Sequence, residues 1–184
     1  GFGPGNRNAS ELAADRSPDD EELKALLQQV GYRYLQVQTD PPALRKTAPV
    51  YVDLSGIAKG YAVDELADYL DSLGVDGYFI DIGGELRLKG YHPDGTSWVP
   101  AMERPLDTEP QVHEVFYSHG EAIAVAGSGD YRNYFEEDGI RYSHEIDPRT
   151  GRPVSHGLAA VYVISAAAAR ADALATAFMV MGPD

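Results

Sequence analysis

Asp172 and Thr176 stand four residues apart in an alanine-rich stretch, so on a helix they put a carboxylate and a hydroxyl on one face. Small neighbours such as Ala173, Ala175 and Ala177 let another backbone come close. That makes a hard-oxygen half-site, suited to Mg²⁺, which keeps waters and shares itself with substrate phosphates. The competing reading has Thr176 bonded back to the preceding turn and Asp172 facing solvent, and on spacing alone that plainer reading is favoured.

A second group lies in Asp53-Leu54-Ser55-Gly56-Ile57-Ala58-Lys59-Gly60, between a strand-like run and a helical one. Its glycines admit close backbone approach, the helix start offers N–H donors and Lys59 adds positive charge. This is phosphate-cradle chemistry without a Walker or Rossmann spacing, and on spacing alone the plainer reading, a capped strand-to-helix turn, is favoured. The stretch Ser143-His144-Glu145-Ile146-Asp147-Pro148-Arg149-Thr150-Gly151 gathers a His, two carboxylates and an Arg before a Pro/Gly turn. His144 can serve as acid, base or phosphate donor near neutral pH. The plainer reading is that Asp147 and Arg149 merely stabilise the turn before Gly151, and a lone His is more often structural than catalytic. Asp81-Ile82-Gly83-Gly84-Glu85 reads as a hairpin. His92, His113, His119 and His156 lack metal-site spacing and are read as surface or packing residues.

The elements that must position these groups follow from pattern. Residues 1–19 read as loop. A helix then starts at Ser17-Pro18, with acidic Asp19 to Glu22 at its positive end, a stripe of Leu23, Leu26, Leu27 and Val30, and a stop at Gly31. Tyr32 to Gln38 alternates as a strand and Pro41-Pro42 forces a turn. From Val50 to Gly90 the pattern is strand, turn, helix, strand, turn, strand, with Ala62, Leu66, Tyr69, Leu70 and Leu73 as the helix's buried face. Tyr78 to Ile82 and Glu85 to Lys89 flank Gly83-Gly84. Further short strands are expected at Ser97 to Met102, Val112 to Tyr117, Glu121 to Ala126, Ile140 to Ser143 and Leu158 to Ile164. Ala166 to Met181 closes the chain as a helix with Ser165 as N-cap and Gly182 after it. The pattern is α+β, with mixed or antiparallel sheets and packed helices.

Composition sets bounds. The 184 residues include 29 acidic and 15 basic side chains, a formal charge of −14, and no Cys. Disulfides, Cys-zinc sites and thiol nucleophiles are thereby excluded within this sequence. The acidic balance argues against nucleic acid as partner, since that binding relies on clustered Lys and Arg. It leaves room for a small phosphorylated ligand held by local cations. A hydrophobic fraction of 43% is ordinary globular composition. No apolar run approaches the ~20 residues of a membrane span. The opening Gly1-Phe2-Gly3-Pro4-Gly5 reads like an interior segment of a longer chain.

Taken together and in order, VDLSGIAKGYAVDELADYL, IDIGGELRLKG, AVAGSGDYRNYFEEDGIRYSHEIDPRTGRPV and RADALATAFMVMGP resemble the ApbE family of FAD:protein FMN transferases. The resemblance runs from residue 1 to 184. It implies a single ApbE-like, T-fold-like domain, with an N-terminal portion carrying part of the flavin pocket and a stretch after the last helix lying outside it. It implies that Asp53 and Lys59 contact FAD, and that Gly56, through its carbonyl, lies with Asp172 and Thr176 at Mg²⁺. Ala175 stands where some members carry a second Asp. His144 matches the proposed catalytic His, Ile146 lies against the flavin nucleotide, and Gly127 stands in place of the Thr of a Thr-Ser-Gly-Asp run.

The activity so implied is Mg²⁺-dependent transfer of FMN from FAD to a Thr or Ser hydroxyl of an acceptor protein, releasing AMP. The acceptor would be a membrane redox subunit, and the protein would be periplasmic, anchored to the inner membrane as a lipoprotein. The alternatives are an FAD pyrophosphatase yielding FMN and AMP, and an FAD-binding protein without chemistry.

Overall fold

A computed structural model describes residues 18–105, 109, 111–129, 134–137 and 140–183, with backbone alone for 134–137 and 140–142. The chain divides into two units. One comprises the described residues up to Val52 together with Phe135–Ser155, and the other Asp53–Tyr134 with the residues from His156 onward.

The first unit begins with α1 (Asp20–Leu27). Its N-cap is Asp19, whose carboxylate accepts from the amides of Glu21 and Glu22 while Glu22 reaches back to the Asp19 amide. That capping box, not Ser17-Pro18, sets the start, because it satisfies orphan N–H donors on both sides of the turn. Ser17 lies outside the described residues. The helix also ends earlier than Gly31. Of its apolar stripe only Leu23 is fully buried, with Leu26 and Val30 exposed.

Tyr32–Tyr34 is a 3₁₀ turn rather than strand, and an antiparallel hairpin follows from β1 (Leu35–Thr39) and β2 (Pro42–Lys46). Pro42 stands at the first position of β2, where a missing N–H is tolerated. Within the same unit, β10 (Ile146–Asp147) pairs with β11 (Arg152–Pro153) across the Asp147–Gly151 turn. Gly151 adopts φ 69° there, and a Cβ on it would lie 2.7 Å from Leu23 Cδ1. Arg152 pairs with Asp20 at 2.5 Å.

The second unit is built on a four-stranded antiparallel sheet in the order β12-β7-β4-β3. Its strands are β3 (Tyr78–Ile82), β4 (Glu85–Gly90), β7 (Gly120–Gly129) and β12 (Ala160–Ser165). Gly83 and Gly84, at φ 61° and 98°, make the β3–β4 turn as the sequence implies. The short pair β5 (Ala101–Glu103) with β6 (Val112–Val115) is a separate ladder, as is β8 (Tyr134–Glu137) with β9 (Ile140–Ser143), which but for Tyr134 belongs to the first unit. Residues 50–57 form no strand.

Helices α2 (Ala58–Ser72) and α3 (Ala168–Met181) pack against this sheet. Val63, Ala67, Tyr78, Ile80, Ala124 and Ala168 form one buried cluster, and Ala126, Ala171 and Ala175 a second. The buried face of α2 is therefore Gly60, Val63 and Ala67, rotated one residue from the expected one, and Leu66, Tyr69 and Leu73 are exposed. The reason lies at Gly60, where a Cβ would sit 2.4 Å from the Ala168 carbonyl oxygen. Small residues on α2 let α3 come this close, so Leu66, Tyr69 and Leu73 face outward, while Leu70 packs against the first cluster as expected.

The start of α3 differs from expectation for a related reason. Its N-cap is Ala167, without a side-chain bond, and Ser165 Oγ only meets the Ala167 amide at 3.5 Å. The amides of Ala168 and Ala169 instead donate to the two oxygens of Asp64 on α2, each at 2.9 Å. Asp64 also holds Arg87 of β4 at 2.6 Å. A carboxylate brought by the fold replaces a local cap and faces the positive end of the helix dipole.

Candidate functional site

The loop before α2 is shaped by Asp53, whose carboxylate accepts from the Ser55 amide at 2.8 Å and from the Ser55 hydroxyl. The Ser55 hydroxyl and amide bonds favour the charged form and hold the Asp53 carboxyl below the usual range. The loop then brings Gly56 against α3, where a Cβ on Gly56 would stand 3.4 Å from Thr176 Oγ1. One turn on, the Gly60 amide donates to Asp172 Oδ2 at 2.9 Å. Asp172 is thus neither solvent-facing nor idle: it is 5% exposed and its orientation is fixed from the neighbouring helix.

Lys59 lies between these glycines. Its Nζ is 2.7 Å from Glu85 Oε2 and 3.4 Å from the Gly83 carbonyl oxygen. The contact with Glu85 is an ion pair by distance but lacks hydrogen-bond alignment, so Oε2 has no aligned donor. Glu85 is 1% exposed. Burial pushes its carboxyl up, the Lys59 contact opposes that, and the nearby charge of Asp172 adds to the rise. Lys59 is thus the cation paired with buried Glu85, while buried Asp172 is held by the Gly60 amide.

The donors here are all hard oxygens: the Asp172 carboxylate, the Thr176 hydroxyl and the backbone at Gly56. That set fits Mg²⁺, which accepts few protein ligands and keeps water or substrate oxygens. Among the described residues no three of His, Cys, Asp and Glu gather as a metal group. Ala175 offers no donor, because it is 1% exposed and packs in the small apolar cluster with Ala126 and Ala171.

Gly127 has a packing explanation. It pairs with Tyr162 across β7 and β12, and a Cβ on it would fall 2.9 Å from Tyr162 Cε1. The ring takes the space a side chain at 127 needs. Asp130 and Tyr131 of the same run lie outside the described residues.

His144 and Ile146 belong to the first unit. His144 is exposed between buried Ser143 and Glu145, and Ile146 is half-buried in β10. The Glu145 amide donates to Ser143 Oγ at 3.1 Å, which turns the chain so that His144 points outward. Asp147 accepts from the Arg149 amide at 2.8 Å and takes the guanidinium through Nε at 3.0 Å and Nη2 at 2.8 Å. That Arg149 bond holds the Asp147 carboxyl below its ordinary range. These two residues stabilise the turn that ends at Gly151, whose amide bonds the Asp147 carbonyl at 2.7 Å.

The structure thus brings Gly56, Lys59, Asp172 and Thr176 together within one unit, with Asp53 in the loop leading to them. Sequence reasoning missed Glu85 and Asp64. The signal for Glu85 was a charged residue in register on the helix-facing side of a strand, directly after a glycine turn. For Asp64 no local signal exists, because Arg87 lies 23 residues away and the Ala168 and Ala169 amides 104 and 105.

The ApbE family model matches residues 2–184. The chain belongs to the ApbE family. Among its relatives is the FAD:protein FMN transferase of Vibrio cholerae, 47% identical across 100% of this chain and 52% of that protein. That of Escherichia coli is 40% identical across 100% of this chain and 51% of its own length. In structure the chain resembles the flavin transferase ApbE from Vibrio cholerae, with a TM-score of 0.80 at 44% identity over 100% of this chain and 55% of that one. It also resembles the apo form of the Pseudomonas stutzeri flavinyl transferase ApbE, at 0.78 and 43% over 92% and 51%. The chain spans about half the length of the relatives it matches. The α+β class, with antiparallel sheets and packed helices, is that of the ApbE structures.

Proposed function

We propose that this ApbE-family chain transfers FMN from FAD to a Thr or Ser hydroxyl of an acceptor protein, with Mg²⁺ and with release of AMP. The observation that carries the reading is the convergence of Asp172, Thr176 and Gly56 beside Lys59, with Asp172 buried and oriented by the Gly60 amide. The names of the relatives, FAD:protein FMN transferase, supply the reaction class.

In this reading the acceptor oxygen bonds to the FMN-side phosphorus, the bond from that phosphorus to the AMP oxygen breaks, and the hydroxyl proton leaves to a base. Bound Mg²⁺ would offset charge on the phosphoryl oxygens. Asp172 and Thr176 would hold the metal, with the Gly56 carbonyl. Lys59 would add a cation at the diphosphate, with Asp53 contacting the dinucleotide alongside it. His144 would carry the proton between hydroxyl and leaving phosphate, and Ile146 would lie against the flavin nucleotide. The proposal includes a periplasmic location with a lipoprotein anchor at the inner membrane, and a membrane redox subunit as acceptor; fractionation of cells tests the first.

The decisive experiment incubates the protein with FAD, Mg²⁺ and a candidate acceptor, followed by mass spectrometry of the acceptor. An FMN-sized adduct is expected, and Asp172→Ala is expected to abolish it. Free FMN and AMP without an adduct overturn transfer in favour of a pyrophosphatase. FAD recovered uncleaved overturns it in favour of a binding protein.

A further inference from the structure

Glu85 is not needed by the hairpin it opens. The β3–β4 turn rests on the positive φ of Gly83 and Gly84, and Glu85 shares its face of β4 with Arg87 and Lys89, which pair with the more exposed Asp64 and Asp71 of α2. A carboxylate 1% exposed there runs against the burial preference of its type and persists only with a charge partner. The partner is Lys59, 2.7 Å away, and no hydrogen-bond donor is aligned on Oε2. The asymmetry of the pair is informative: the Glu85 side chain is 2% exposed and that of Lys59 47%. The fixed, enclosed member is the carboxylate, and the member that reaches solvent is the ammonium. A lysine on its flexible stem has many rotamers, and one buried anion with the Gly83 carbonyl beside it restricts the ammonium to one place.

That place adjoins Asp172, whose Oδ2 accepts from the amide of Gly60, the residue that follows Lys59 on α2. We propose that Glu85 is a positioning residue, which holds the Lys59 ammonium where it meets the diphosphate of a bound dinucleotide. The inference rests on the reading of Lys59 as an FAD contact. Glu85 itself touches neither substrate nor reacting atoms. Its charge also keeps the site from becoming strongly cationic before substrate arrives, so that the pair contributes position more than net charge.

Two measurements separate this inference from the function it rests on. In the first, without FAD, the reactivity of Lys59 toward an amine-labelling reagent is mapped by peptide mass spectrometry. Glu85→Gln keeps the shape and removes the charge, and is expected to raise Lys59 labelling at least threefold, whereas Asp71→Asn, at the partner of Lys89, leaves Lys59 unchanged. In the second, FAD binding and the KM-against-kcat split are compared for Glu85→Gln, Lys59→Met and the double variant. Glu85→Gln is expected to raise KM for FAD about tenfold with a smaller change in kcat, and to add nothing in the Lys59→Met background. Unchanged labelling, unchanged KM, or an undiminished effect without Lys59 overturns the positioning role. Failure of the wild-type protein to bind FAD overturns the functional reading instead, and the positioning role with it. If Glu85→Gln unfolds, Glu85→Asp is read in the same two ways: its carboxylate, one methylene shorter, is expected to give intermediate values, and wild-type values for both overturn the proposal.

Discussion

The amide of Gly60 donates to Asp172 Oδ2 across 2.9 Å, joining two residues 112 positions apart on helices α2 and α3. This bond exists only because Gly60 lacks a side chain. The same absence lets the Ala168 carbonyl come within 2.4 Å of where a Cβ would stand. Close helix packing and orientation of the candidate metal carboxylate therefore depend on one missing atom.

Gly60→Ala follows directly from that relationship. Backbone at Ala168 cannot swing aside as a flexible side chain could, so the helices must separate. The overpacking costs about 1–3 kcal/mol or more, against a helix-propensity gain of roughly 1 kcal/mol for replacing a mid-helix Gly. The expected outcome is a net loss in urea unfolding together with weaker Mg²⁺ binding by calorimetry. A variant as stable as the parent, with unchanged Mg²⁺ affinity, would contradict the packing account.

Asp64 gives a pH dependence with a definite sign. Burial raises its carboxyl, but the bonds from the Ala169 and Ala168 amides and from Arg87 outweigh that and leave it below the ordinary value. A carboxyl depressed on folding stabilises the native state fully above its unfolded pKa of about 3.9 and loses that contribution as pH falls through the lower folded value. Asp64→Asn is expected to cost about 1–2 kcal/mol at pH 7 and to converge with the parent in strong acid. Parallel stability curves for the two proteins between pH 7 and the acid limb would show that Asp64 is not the group responsible.

His144 allows function to be separated from stability. Its side chain is exposed, between two buried neighbours. His144→Ala is expected to lower kcat by about 10²–10⁴ if it moves the proton, while changing unfolding free energy by no more than about 0.5 kcal/mol. A full-rate variant would remove His144 from the reaction, and a large loss of stability would assign it to the fold.

These cases also show which parts of the architecture are legible in sequence. The Gly83–Gly84 turn, strand β9 and the pairing of Asp147 with Arg149 before Gly151 all rest on contacts within a few residues, and local pattern is enough to read them. Asp172 and Thr176 could be placed on one face, but not buried, because burial depends on Gly60 from another helix. Of the expected face of α2 Leu70 packs on the core, whereas Leu66, Tyr69 and Leu73 do not, for the same kind of reason. Periodicity weights large apolar side chains such as Leu66 and Tyr69, whereas a close crossing selects glycine and alanine. Ser165 and Pro18 lost their places at the helix starts to carboxylates, one of them supplied from a distant element.

Gly127 offers a test of that interplay in the sheet. Its partner Tyr162 is held by its hydroxyl, which accepts from the Glu103 amide at 3.1 Å and donates to the Glu103 carbonyl at 3.0 Å. The ring cannot rotate away without breaking both bonds, and a Cβ at 127 would meet it at 2.9 Å. Gly127→Thr alone is therefore expected to destabilise by about 1–3 kcal/mol. Tyr162→Val alone removes the ring and its bonds to β5, and costs stability for a different reason. Combined, the Thr and Val face each other across antiparallel strands as a favourable β-branched pair, so the double variant should be more stable than the sum of the single losses predicts, by at least about 0.5 kcal/mol. Additive losses in urea unfolding would mean that Tyr162 does not exclude a side chain at 127, and that the glycine there needs another cause.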